Sequence, residues 1–242
     1  MKRTLFILLL ISSTQSLFAQ GLSNNYLFGR DNSINPPLIT SKRAKFNFFT
    51  GTAVLSPDSF KMKFSETEGN ISDANGNLLM SSNGIWIADA SGDTMQNGSN
   101  LNPSAYTNGY KSIGLTLPDA NVFIPYPGDT SKYILFHMTG NLDTLPSSEL
   151  YYSVIDMNLN NGLGGVILKN QQIIKAHLSS GIGACKHANG RDWWIVAVKD
   201  SSNIIFKILV TPLGISSISS QIFPNLISYR FSNMQPKQAK LI

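Results

Sequence analysis

The stretch Ser72 to Gly84 reads SDANGNLLMSSNG and places Asp73, Asn75 and Asn77 on alternate positions. Oxygen side chains at that spacing open a calcium loop. Calcium takes six to eight oxygen ligands, and a helix–loop–helix calcium loop closes with a bidentate Glu at its twelfth position. The twelfth position from Asp73 is Gly84, and no carboxylate stands between Asp73 and Asp89. The other reading is a hairpin. Asn75-Gly76 lies between short apolar runs, and Asn-Gly is the strongest signal for a two-residue type I′ turn, because both positions need positive φ. Ala188-Asn-Gly-Arg191 repeats the slot without the Asp. A turn is therefore expected at Asp73, with calcium as the alternative.

Other chemistry-bearing residues are sparse. Cys185 is the single cysteine and stands two positions from His187. On a strand they would share a face, as a thiol and its base would need to. A lone cysteine in a strand is also among the commonest buried residues, and burial is the expectation for Cys185. His137, His177 and His187 are the only histidines, and none has the His-x-His or His-Glu-x-x-His spacing of a zinc site. Glu66, Glu68 and Asp73 could hold a carboxylate pair for glycoside hydrolysis if the fold set them at the required separation. Arg191-Asp192-Trp193-Trp194 offers a charged pair beside two aromatics, but consecutive strand residues point to opposite faces, so one Trp should be core. There is no Gly-x-Ser-x-Gly elbow, and Gly162-Leu-Gly-Gly165 leads into a strand rather than a helix. The residues singled out for rim or ligand contact are Asp73, His187, Arg191 and Asp192. None is assigned a catalytic, cofactor or metal role, and no cofactor is expected apart from the calcium alternative.

The elements that must position these residues read as strands. Apolar, β-branched and aromatic runs of four to eight residues recur between Asn, Gly, Asp and Pro clusters, and helical periodicity is nearly absent. Three units share one order of strand, tight turn, strand, loop, strand, Gly turn and short strand. The first begins at Gly69, the second at Val122 and the third at Gly183. Repeats of this length with four strands each predict propeller blades. The expected fold is all-β, a partial β-propeller of about three four-stranded antiparallel blades, with residues 40–64 adding strands. Three blades fall short of the four to eight of a closed ring. Residues 224–242 show no strand pair, which predicts an irregular tail on a chain cut short by truncation or frameshift.

The N-terminus carries Lys2 and Arg3, the apolar run Leu5–Ile11, and Ala19 before Gln20. That order predicts a secretory signal peptide over residues 1–19, since the apolar run is too short to span a bilayer. Residues 20–223 then form the folded domain. Without Lys2 and Arg3, 17 basic residues stand against 14 acidic ones, a net +3. The charge is mild and scattered, which argues against a nucleic-acid partner. No later segment is apolar enough to cross a membrane as a helix.

Tyr26-Leu-Phe-Gly29, Ile71-Ser-Asp-Ala-Asn-Gly-Asn-Leu-Leu79, Ser82-Asn-Gly-Ile85, Met95-Gln-Asn-Gly98, Tyr151–Met157 with Asn160–Gly164, and Lys186–Trp194 occur in this order. The series resembles secreted Bacteroidota proteins with an N-terminal propeller-like region, many of which end in a type IX secretion sorting domain or a gliding-motility-associated C-terminal domain. The resemblance spans residues 24 to about 223 and departs at the end, where no sorting domain follows. It implies an exported protein of the cell surface or exterior, or of the periplasm where the sorting domain is absent. It supplies no catalytic residues. The function expected is an interaction or adhesion module without intrinsic catalysis, with a surface protein or glycan as partner. The alternative is a secreted protein that binds or hydrolyses glycans.

Overall fold

The computed structural model describes residues 22–29, 43–57, 60–140 and 147–224. The expected signal peptide and all of the expected tail except Pro224 lie outside them. The fold is all-β with antiparallel sheets. A first sheet joins β1 (Asn25–Phe28), β2 (Ala44–Asn47) and β3 (Val54–Pro57), and a second joins β4 (Gly69–Ser72), β5 (Leu78–Ser82) and β6 (Ile87–Ala88). The third is a seven-stranded meander of β7 (Asn121–Pro125), β8 (Lys132–Gly140), β9 (Ser147–Asp156), β10 (Gly165–Lys186), β11 (Trp193–Lys199), β12 (Ile204–Thr211) and β13 (Gly214–Ile222).

The final strand of the second sequence unit and the first strand of the third are one element. β10 runs for 22 residues. Its first part pairs with β9, its last part pairs with β11, and Leu178 belongs to both ladders. Register shifts along the β9 ladder and positive φ at Asn170 and Gly181 let so long a strand turn from one partner to the other. In the first unit the strand expected over residues 85–89 shrinks to β6, with a bridge from Ala88 to Thr94 completing the sheet. The insert after it holds a short helix, α1 (Ala105–Gly109), which the sequence did not suggest; Ser104 caps it by accepting the Thr107 N–H.

Burial of β8 on both of its faces organises the core. Every residue of β8 after Lys132 is buried. Ile134, Phe136 and Met138 point into a cluster with Tyr106, Leu150, Ile182, Trp193 and Ile208. Tyr133 and Leu135, on the opposite face, join Ile71, Met80, Met95 and Phe123. A smaller cluster of Leu27, Met62, Phe64 and Ala88 fastens the first sheet to the second. Strand alternation thus sends one apolar run into two cores.

The strands that open the units lie side by side. Gly69, at the start of β4, sits against Asn121, at the start of β7, and the Ile182 N–H in β10 donates to Asp119 O just before β7. The first sheet does not repeat this arrangement. Ser72 N–H donates to Leu22 O and Phe64 N–H to Gly29 O, so β1 runs opposite to β4.

The closest of these approaches is testable. A Cβ at Gly69 would lie 2.1 Å from Asn121 Oδ1, while Asn121 Nδ2 donates to Ser82 O and cannot swing away freely. Gly69→Ala is expected to destabilise the protein by roughly 1–3 kcal/mol through overpacking. In urea denaturation, the double variant Gly69→Ala/Asn121→Ala should be less destabilised than the sum of the two single losses.

Candidate functional site

The turn at Asp73 is built from its own side chain. Asp73 Oδ1 accepts the N–H groups of Asn75 and Asn77, both at 2.8 Å, and Oδ2 accepts the Asn77 amide at 3.0 Å. Asp73 O accepts the Gly76 N–H at 3.0 Å. Only Gly76 has positive φ, at 82°. The expected two-residue type I′ turn is therefore replaced by a five-residue loop, a type I turn with Asp first and Gly fourth. Burial raises the Asp73 carboxyl, but the hydrogen bonds from Asn77, Asn75 and Gly76 outweigh it and hold the group below its usual range. The carboxylate faces into its own loop, as in an Asx turn.

The same loop occurs once more at 89–93, and a version one residue longer, closed by the His187 N–H on Asp192 O at 2.9 Å, spans 187–192. At 89–93 (DASGD), Asp89 Oδ1 accepts the Ser91 N–H at 2.8 Å, Asp89 O accepts the Gly92 N–H at 3.0 Å, and the Asp89 N–H donates to Asp93 O at 2.9 Å. At 187–192 (HANGRD), the imidazole takes the carboxylate's place. The Asn189 N–H donates to His187 Nδ1 at 3.1 Å, and the Gly190 N–H donates to His187 O at 2.9 Å. Gly190 has φ 73° and Asn189 is not in the positive-φ region, so the type I′ expectation fails here for the same reason.

His187, Arg191 and Asp192 stand together in that third loop. Arg191 Nε and Nη2 donate to the two oxygens of Asp192, at 2.8 and 3.2 Å, and Asn189 Nδ2 donates to Asp192 Oδ2 at 2.8 Å. The Arg191 guanidinium, with Asn189, holds the Asp192 carboxyl below its usual range. Asp192 is buried and Arg191 exposed. The His187 ring lies 5.8 Å from that of half-buried Trp194, while Trp193 is core, as strand alternation requires. Cys185 is half-buried rather than buried, because it faces outward beside Trp194 on β10. His187 Nδ1 is engaged by the turn and cannot serve that thiol.

Asp73 belongs to the turn that ends β4, and the other three to the turn that ends β10. Burial, and after it the charge of Asp73, pushes the Tyr133 phenol up, so the turn at Asp73 lies near the start of β8. The 126–131 turn lies beside Pro212, in the turn between β12 and β13: a Cβ placed on Gly128 would stand 3.3 Å from Pro212 Cγ. These turns occupy one side of the molecule. Two clefts open there. One of about 590 Å³ is bounded by the loops at 76–78 and 90–92 and lined by Asn25, Lys45, Asn47, Phe60, Lys61 and Asn77. The other, about 460 Å³, is lined by Tyr126, Asp129, Lys132, Ile167, Leu168 and Pro212. Lys132 and Ser131 hold the Asp129 carboxyl at about 2. Lys61 pairs with Asp93 at the mouth of the first cleft.

Three polar arrangements had no signal in the sequence. Asn25 Nδ2 donates to Ser72 Oγ and Gly76 O, and Asn47 Nδ2 donates to Asn25 Oδ1, tying the first sheet to the Asp73 turn. Glu68 accepts the Tyr26 hydroxyl. Burial raises the Glu68 carboxyl, the Tyr26 bond lowers it and the charge of Asp119 raises it again, leaving it above its usual range. The third joins Ser153, His137 and Asn102: Oγ to Nε2 at 2.9 Å and Nδ1 to Oδ1 at 2.7 Å. That is the order of a nucleophile, base and orienting group, but all three are fully buried. Asn102 Nδ2 donates to Gly84 O, so its acceptor Oδ1 faces Nδ1; the imidazole proton sits on Nδ1, and Nε2 accepts the Ser153 hydroxyl, whose oxygen also accepts the Asn170 N–H. The trio locks the Asn100–Asn102 backbone onto β8 and β9 and leaves a substrate no approach. Among the described residues, no group of three or more His, Cys, Asp or Glu side chains converges as a metal site would require. Comparison with protein-family models, curated proteins and solved structures finds no match for this chain.

Burial holds His137 neutral, with its pKa lowered from 6.5 to about 3. Between those values the unfolded chain binds a proton that the folded chain does not. The stabilisation is complete above about pH 6.5 and is lost as pH falls toward 3, amounting to roughly 5 kcal/mol across the window. Urea denaturation of the wild type should show this loss between pH 7 and 4. His137→Gln should be less stable at pH 7 and lack that share of the slope.

Proposed function

We propose that this chain is an exported surface-interaction module, a partial β-propeller that acts by binding at the side where its turns gather. The observation that carries the reading is the first cleft, framed by two copies of one Asx-type loop and lined by three asparagines, two lysines and Phe60. The bonds among Asn25, Asn47, Asn77 and the Asp73 turn hold the wall of the cleft rigid, and its lysines and Phe60 add charge and an apolar face, which suits an acidic or hydroxyl-rich partner such as a cell-surface glycan or protein. The propeller reading draws on the side-by-side starts of β4, β7 and the second half of β10. Export draws on the N-terminal pattern of charge, apolar run and small residue. Binding is favoured over catalysis because Asp73, His187, Arg191 and Asp192 direct their polar atoms into their own turns. Glycan hydrolysis is the second reading, supported by the raised carboxyl of Glu68 near Asp119.

Glycan-array and surface-protein binding by the purified chain should detect a ligand. Lys45→Glu/Lys61→Glu should lower its affinity at least about tenfold, the scale of two lost charged contacts, with an unchanged circular dichroism spectrum. Reproducible turnover of chromogenic glycosides, abolished by Glu68→Gln, would replace binding with hydrolysis.

A further inference from the structure

Among the described residues, β13 forms the open edge of the seven-stranded sheet. Its sequence, GISSISSQI, contains neither a charged residue nor a proline, the usual means of keeping an edge from pairing. Among the described residues the other sheet edges are short or covered: β1, β3 and β4 have four residues each, β3 ending in Pro57, β6 has two, and β7 is buried. Large apolar side chains cluster at β13. Leu213 is 95% exposed, Ile218 46% and Ile222 65%.

The ladder with β12 fixes which backbone groups face outward. Phe223 N–H donates to Asn203 O at 2.9 Å, and the register continues as Ile204 opposite Ile222, Phe206 opposite Ser220 and Ile208 opposite Ile218. Hydrogen-bonded and non-hydrogen-bonded pairs alternate in an antiparallel ladder. With 203 and 223 a bonded pair, Ile222, Ser220 and Ile218 turn their N–H and C=O groups away from β12, toward the open edge.

We propose that this edge is an interface for a second copy of the chain, the two β13 strands pairing antiparallel about a two-fold axis at Ser220. That register sets Ser220 opposite Ser220 and Ile218 opposite Ile222 of the other copy. It joins all three outward residues of each strand in bonded pairs, giving six hydrogen bonds. Moving the strand by one residue sets outward groups against inward ones, and moving it by two loses a bonded pair. The same register brings Ile218 and Ile222 of the two copies together on one face, covering the side chains that the monomer exposes.

The test is the mass of the purified full chain by analytical ultracentrifugation over micromolar concentrations. The expected result is a dimer that Ser220→Pro converts to a monomer without loss of the strand signature in circular dichroism. Independently, Ser220→Cys in a Cys185→Ser background should give a disulfide-linked dimer on mild oxidation, because a bonded pair holds its Cα atoms about 5.5 Å apart, within disulfide reach. Ser217→Cys in the same background should stay unlinked. A wild-type monomer at every concentration overturns the proposal, including the case in which residues 225–242 cover the edge. So does a dimer that survives Ser220→Pro and is not trapped through Ser220→Cys.

Discussion

Burial of β8 on both faces is the constraint on which the other placements depend. A strand with one wet face can tolerate a neighbour that slides or leaves. A strand buried along its length must have an apolar layer on each side, and the two layers must be held at the spacing of packed sheets. Phe136 and Ile134 call for β10, β11 and α1 on one side. Leu135 and Tyr133 call for β4 and β5 on the other. The Gly69–Asn121 contact and the bond from Ile182 to Asp119 O follow from that stacking, because they lie where the opening strands converge.

Asparagine joins what the apolar layers leave separate. Asn25, Asn47, Asn102 and Asn170 each link backbone or side chains far apart in sequence. Several, including Asn97, Asn100, Asn102 and Asn170, also adopt the left-handed conformation that this residue tolerates better than most. One residue type thus supplies tight turns and amide cross-links together. With one cysteine in the chain there is no internal disulfide to share that task.

The loops at 73–77 and 89–93 and the longer one at 187–192 show how one opening geometry accepts different chemistry. The first position needs a side-chain acceptor two atoms or a ring away from the backbone, and both carboxylate and imidazole supply it. The fourth needs glycine for positive φ. The fifth closes the first two loops as Asn77 or Asp93, whereas in the third Arg191 is an extra residue before closure at Asp192. The residues that attract notice as chemistry are therefore chiefly residues that hold turns, and the surfaces they leave open are the clefts between them.

Much of this was legible from local pattern. The apolar runs marked β7, β8, β9, β11 and β12, and the Gly turns marked where they end. The kinship of the Asn75 and Asn189 turns was visible too, though not their loop type, since Asn-Gly alone does not report how many residues the ladder leaves unpaired. The Ser153–His137–Asn102 trio was invisible because its members are 51 positions apart at the extremes, and nothing local distinguishes a buried Ser or His on a strand from an exposed one. The sequence by itself determined strand character, turn positions and the unit order, because these depend on alternation and φ preferences within a few residues. Only the tertiary structure decided that two units share β10, that β1 runs against β4, that Cys185 faces outward and that three distant polar residues meet in the core, because each depends on which surfaces remain to be buried once the sheets have stacked.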